Sequence, residues 1–127
     1  MSSTKRVLKP YQIISAQSMA SNIASAETNT QFLDYCFFQV DWTGTSPVGT
    51  FNIEYLKIEA QRNTSTGVDV WEKLDFGGTT GTDLPVSGNT GTIQIIMNDI
   101  VFPKLRCNYA RTSGVGTLTA TLIAKEK

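Results

Sequence analysis

Residues 117–124 read Thr-Leu-Thr-Ala-Thr-Leu-Ile-Ala. Leu118, Ala120, Leu122 and Ala124 share one parity, and Thr117, Thr119, Thr121 and Ile123 share the other. A period of two puts the two sets on opposite faces of a pleated strand, a separation that helical spacing does not produce. The segment therefore predicts a strand with an apolar inner face and an outer face rich in threonine. Threonine is β-branched and suits a solvated sheet surface.

The same alternation recurs along the chain. Cys36, Phe38, Val40 and Trp42 alternate with Tyr35, Phe37, Gln39 and Asp41. Phe51, Ile53 and Tyr55 alternate with Asn52 and Glu54, after which Leu56, Ile58 and Ala60 continue on the opposite phase. That slip predicts a β-bulge at Tyr55–Leu56. Residues 68–76 carry Val70, Trp71, Leu74 and Phe76 and read as a strand. Residues 91–98 set Ile93, Ile95 and Met97 on one face and Ile96 on the other. Leu105, Cys107 and Tyr109 alternate with Arg106, Asn108 and Ala110.

Between these segments lie turn-forming stretches at residues 43–47 (TGTSP), 60–67 and 77–83. Residues 16–30 are small and polar, and only Met19 and Ile23 have helical spacing, so they read as a loop or one short helical turn. The chain predicts an all-β fold, a single antiparallel β-sandwich (jelly-roll-like or immunoglobulin-like) of about seven or eight short strands. Its core is the inward set Phe38, Val40, Ile53, Leu74, Ile95, Leu105 and Leu122 with their phase-mates. A length of 127 residues suits one such domain.

Residues 1–15 stand apart as an N-terminal arm or edge strand, ahead of a sandwich domain at residues 16–127. Val7, Leu8, Tyr11, Ile13 and Ile14 are apolar, but Pro10 removes a ladder donor and disfavours a central position. Two placements satisfy both facts: an arm added to a neighbouring subunit's sheet, or a strand folded onto the edge of its own domain.

Composition narrows the function. The chain has no histidine, which excludes His-based triads, Cys–His pairs and His metal sites. Eleven basic residues balance eleven acidic ones, so no overall basic field exists to hold nucleic acid. No apolar run approaches the ~20 residues of a membrane helix. The first nine residues are polar and basic and do not read as a secretory signal. Cys36 and Cys107 lie inside alternating segments and read as small buried hydrophobes; whether they pair depends on whether their strands face each other. Asp75, Asp83, Asn89 and Asp99 lie near glycine-rich loops but lack the spacing of a calcium loop, so no metal or cofactor is assigned. Nothing in the sequence marks an enzyme.

Several side chains stand out as candidates for partner binding. Tyr11, Ile13 and Ile14 form the apolar part of the N-terminal segment. Trp71 stands beside a polar loop, where an aromatic ring can stack on a sugar, and Trp42 is weighed with it although it continues a buried phase. Arg106 and Arg111 flank Tyr109 and offer an anion or partner patch; paired with a cross-strand acid, Arg106 would instead be an ordinary surface residue.

Three stretches carry a family resemblance: residues 39–50 (QVDWTGTSPVGT), 71–74 (WEKL) and 105–118 (LRCNYARTSGVGTL). The chain resembles small β-sandwich structural proteins of tailed bacteriophages and related phage-like particles. Its closing segment is similar to that group's R-x-x-Y followed by S-G-x-G-T-L. The similarity runs from about Ser15 onward, and the stretch up to Tyr11 has no match. It implies a non-enzymatic structural or assembly role in a virion, as a head or tail accessory component assembled in the bacterial cytoplasm. The partners it implies are other virion proteins and further copies of the chain. The alternative reading is a β-sandwich module that binds glycans or a host surface through the loops near Trp42, Trp71 and residues 77–83.

Overall fold

The computed structural model describes residues 8–56, 70–79, 81–98, 100 and 102–126. They form eight strands: β1 (Tyr11–Ser18), β2 (Ile23–Ala24), β3 (Thr28–Asn29), β4 (Leu33–Leu56), β5 (Trp71–Lys73), β6 (Leu84–Val86), β7 (Thr90–Asn98) and β8 (Lys104–Glu126). All pairings are antiparallel and belong to one hydrogen-bonded sheet. No described residue is helical.

β4 and β8 carry the architecture. They are 24 and 23 residues long and pair from Leu33↔Glu126 to Tyr55↔Leu105. A straight strand of that length would span roughly 80 Å, whereas a domain of this size has a radius of gyration near 14 Å. The pair therefore has to bend. The corner lies where the register shifts twice, first between Thr45 and Val48 and then between Val48 and Gly49. One extra residue sits on β4 at the first shift and one on β8 at the second. Ser46 (φ 47°) and Gly114 (φ 77°) take the left-handed conformation there. Because both strands slip, pairing beyond the corner is again aligned.

The slip shows in the burial pattern. On β4, Cys36, Phe38, Val40 and Trp42 are buried before the corner, and Phe51 and Ile53 after it; Leu33, buried on the other parity, lies beyond a further register shift at Leu33/Tyr35. On β8 they are Leu105, Cys107 and Tyr109, then Leu118, Ala120, Leu122 and Ala124. The parity changes on both strands together, as a bulge requires.

The corner divides the sheet into two layers. One runs β1–β8–β4–β7, using the first half of β4 and the last half of β8. The other carries β2 and β3 on β8, and β5 and β6 on β4. Phe38 and Val40 of one layer and Phe51, Ile53 and Leu105 of the other are all fully buried, in one common cluster. No helix among the described residues covers either half, and burial this complete means that the layers cover each other.

The inward set expected from the alternation is in place: Phe38, Val40, Ile53, Ile95, Leu105 and Leu122 are buried, and Leu74 packs against them. Other expectations are corrected. Residues 43–47 are not a turn between strands but the bent middle of β4, and the segments around Leu105 and Leu122 are one strand. Glycine and proline at those positions serve a corner rather than a hairpin. The expected bulge at Tyr55–Leu56 is not found, since Glu54, Tyr55 and Leu56 pair with Lys73, Glu72 and Trp71 in constant register. The strand expected over residues 68–76 is reduced to Trp71–Lys73, with residues 68 and 69 outside the described part. Residues 16–30 hold the end of β1 and all of β2 and β3, with Met19, just after β1, and Ile23 of β2 buried. From Leu8 on, the N-terminal segment lies along its own chain, residues 1–7 being outside the described part: Leu8 N–H donates to Ala124 C=O (2.8 Å), and β1 continues to Ser18 against β8.

Candidate functional site

Residues at even positions after the corner of β4, and on the facing half of β8, point away from the core. They build a polar cluster on the outer face of the second layer. In the register, Glu54 lies between Lys73 of β5 and Arg106 of β8, and Asn52 lies opposite Asn108. Arg106 Nε donates to Glu54 Oε1 at 3.0 Å, and its guanidinium lies 4.2 Å from the centroid of the Trp71 ring. Asn108 Nδ2 donates to Glu54 Oε1 (2.6 Å) and to Asn52 Oδ1 (3.1 Å). Asn52 Nδ2 and Lys73 Nζ reach Asp83 Oδ1 at 3.2 and 3.4 Å.

Asn52 is buried although it is on the outer face, and these bonds satisfy its amide. Each charge in the cluster faces an opposite one. Arg106 thus has both a carboxylate and an aromatic face, the two surfaces a planar guanidinium fits best. The result is a stiff, internally matched face. Beside it, Tyr55 Oη donates to Glu72 Oε2 at 2.8 Å, and this bond to the carboxylate holds the phenol above its ordinary pKa.

The structure brings two of the sequence candidates together, Trp71 and Arg106, and separates the rest. Arg111 is at the corner, where its N–H donates to Asn22 Oδ1 (2.8 Å) and its Nε to Gly114 C=O (2.9 Å). It braces the bulge instead of joining Arg106. Tyr11 is exposed opposite Leu122. Ile13 and Ile14 are buried in the core of their own domain, which matches the second of the two placements the sequence left open. The edge of β8 supplies the backbone partners that an arm would otherwise seek elsewhere.

Trp42 is buried, and its Nε1–H donates to Gly88 C=O at 3.2 Å. Cys36 and Cys107 are free buried thiols. Burial pushes Cys36 up to about 12, and it raises Cys107 further still. Among the described residues, no group of three or more Cys, Asp or Glu side chains is placed to hold a metal ion.

Two features went unread in the sequence. One is a half-open cleft of about 370 Å³ whose apolar lining is Leu74, Phe76, Ile95, Met97, Ile100 and Phe102, with Asp75 and Asn98 adding polar groups. The other is the open side of β7 next to it, where Ile96 is 60% exposed. The only local signals were the off-phase Ile96 and the lack of any charge in residues 90–98.

No family model matches the chain, and no curated protein matches it. Among the solved structures that share its fold are two of viral origin. One is YomS, an SPBc2 prophage-derived protein, 12% identical with a TM-score of 0.52; the match covers 97% of each chain. The other is a chain in the structure of infectious bursal disease virus, Gx strain, 10% identical with a TM-score of 0.55; it covers 98% of this chain and 32% of that one.

Proposed function

We propose that the chain is a non-enzymatic structural or assembly protein of a phage-like virion, a head or tail accessory component. It works by associating with other virion proteins and with copies of itself, in particles assembled in the bacterial cytoplasm. The observation that carries this reading is the end-to-end match with a prophage-derived protein, in which almost nothing of either chain is left over. The likeness to a viral chain and the motifs at residues 39–50 and 105–118 point the same way. A glycan-binding role has less support. Trp42 is buried with its N–H engaged, and Arg106 covers one face of Trp71.

The test is recovery of the protein from purified particles. In a lysogen induced to produce virions, mass spectrometry of gradient-purified particles should find the chain at a fixed ratio to the major structural proteins. Deleting its gene should reduce or alter the particles. Intact particles that lack the protein and form normally without it would overturn the reading.

A further inference from the structure

An open sheet edge is a template for pairing, and folded proteins usually blunt such edges. Among the described residues, every edge strand but one is blunted. β1 breaks register between Gln12 and Ile14 and again between Ile14 and Gln17. β2 and β3 have two residues each. β5 has three and carries Glu72 and Lys73; β6 has three and carries Pro85. β7 has nine residues, no charge and no proline, and it pairs with β4 without a register shift. It pairs with no other described strand.

One bond fixes which backbone groups face the open side. Gly44 N–H donates to Asn89 C=O at 2.7 Å, in register with the β4–β7 pairs. Bonded and non-bonded pairs alternate along an antiparallel ladder. Gly91, Ile93, Ile95 and Met97 therefore bond to β4. Thr90, Thr92, Gln94, Ile96 and Asn98 turn their N–H and C=O groups outward.

We propose that β7 is a homotypic interface. Two copies of the chain join β7 to β7, antiparallel across a two-fold axis, and extend the β1–β8–β4–β7 layers into one continuous sheet. The proposal rests on the association reading above and names its surface. A second copy is the occupant because the strand is complementary to itself. Gln94 is the midpoint of the outward set. Centred there, Gln94 meets Gln94, Thr92 meets Ile96 and Thr90 meets Asn98, and every outward backbone group finds a partner. A two-fold axis sets the residues around it against their own copies, so a charge at the centre would repel itself. β7 has none. On the inner face the same register sets Ile93 of the second copy opposite Ile95, which lines the cleft.

Light scattering on the size-fractionated protein tests the proposal with a charge swap. Wild type is expected as an even-numbered oligomer. Gln94→Lys and Gln94→Glu should each halve its mass while keeping the melting temperature of a folded chain. Mixing the two should restore the mass. Ile96→Asp, elsewhere on the edge, should also halve it. Assembled variants with unchanged mass would overturn the β7 interface and leave association standing. A wild type that stays monomeric but is recovered in particles would overturn self-pairing alone. A monomer missing from particles would overturn both readings.

Discussion

Gly44 and Gly116 lie directly opposite each other at the corner of the sheet, and neither has room for a side chain. A Cβ on Gly44 would run into the carbonyl oxygen of Val115, and one on Gly116 into that of Thr43. The two long strands approach so closely here that backbone fills the space. Gly116→Ala and Gly44→Ala should each cost more than about 3 kcal/mol, beyond ordinary overpacking. Gly78→Ala is the control. Its φ is 61° with open space around it, so strain alone should cost roughly 1–2 kcal/mol. Urea unfolding of the three variants checks the order.

Leu122 is 4% exposed in the core, while Thr121 is on the opposite face of the same strand. Leu122→Ala should cost about 2–5 kcal/mol and lower the melting temperature by about 10 °C or more. Thr121→Ala should stay within about 0.5 kcal/mol. Calorimetry of the pair tests the phase of β8.

Both thiols titrate above their ordinary value of 9.0, Cys36 at about 12, because burial penalises the thiolate. A raised pKa means that the folded chain keeps its protons while the unfolded chain loses them. Stability from this source is complete below pH 9 and falls between pH 9 and 12, by up to about 1.4 kcal/mol per pH unit for each thiol. Denaturant titrations across that range should show the decline, and a Cys36→Ala/Cys107→Ala double variant should lose part of it. At pH 8 a thiol reagent should label neither cysteine until the protein is unfolded.

Tyr109 is 1% exposed and its hydroxyl has no hydrogen-bond partner. An unsatisfied buried hydroxyl costs about 1–3 kcal/mol. Tyr109→Phe removes it and keeps the ring that covers Gly49, so this substitution should raise the melting temperature. A fall would mean that the hydroxyl has a water partner.

Alternation made the inner faces legible. Phe38 with Val40, and Leu118 with Leu122, could be assigned because side chains on a half-buried strand are sorted by parity. Continuity through the corner could not be read. The same glycine, serine and proline that end a strand at a hairpin also bend one, and only the facing strand decides which occurs. The contact between Arg106 and Trp71 was hidden for a related reason: it depends on β5 and β8 flanking the same half of β4. Ile13 and Ile14 were correctly too apolar for water, but apolarity does not say whose core they enter.

β8 comes last of the eight strands in the chain, yet it is an inner strand of both layers. Everything before it can only wait. During synthesis β1, β2 and β3 have no strand to join until residues 104–126 emerge, and β4 has only the partners on its other side. Until then the sheet lacks the strand that joins both layers. Long-range pairing of this kind is slow to form. Removing residues 104–126 would therefore take out the seam of the molecule, the strand that both layers share.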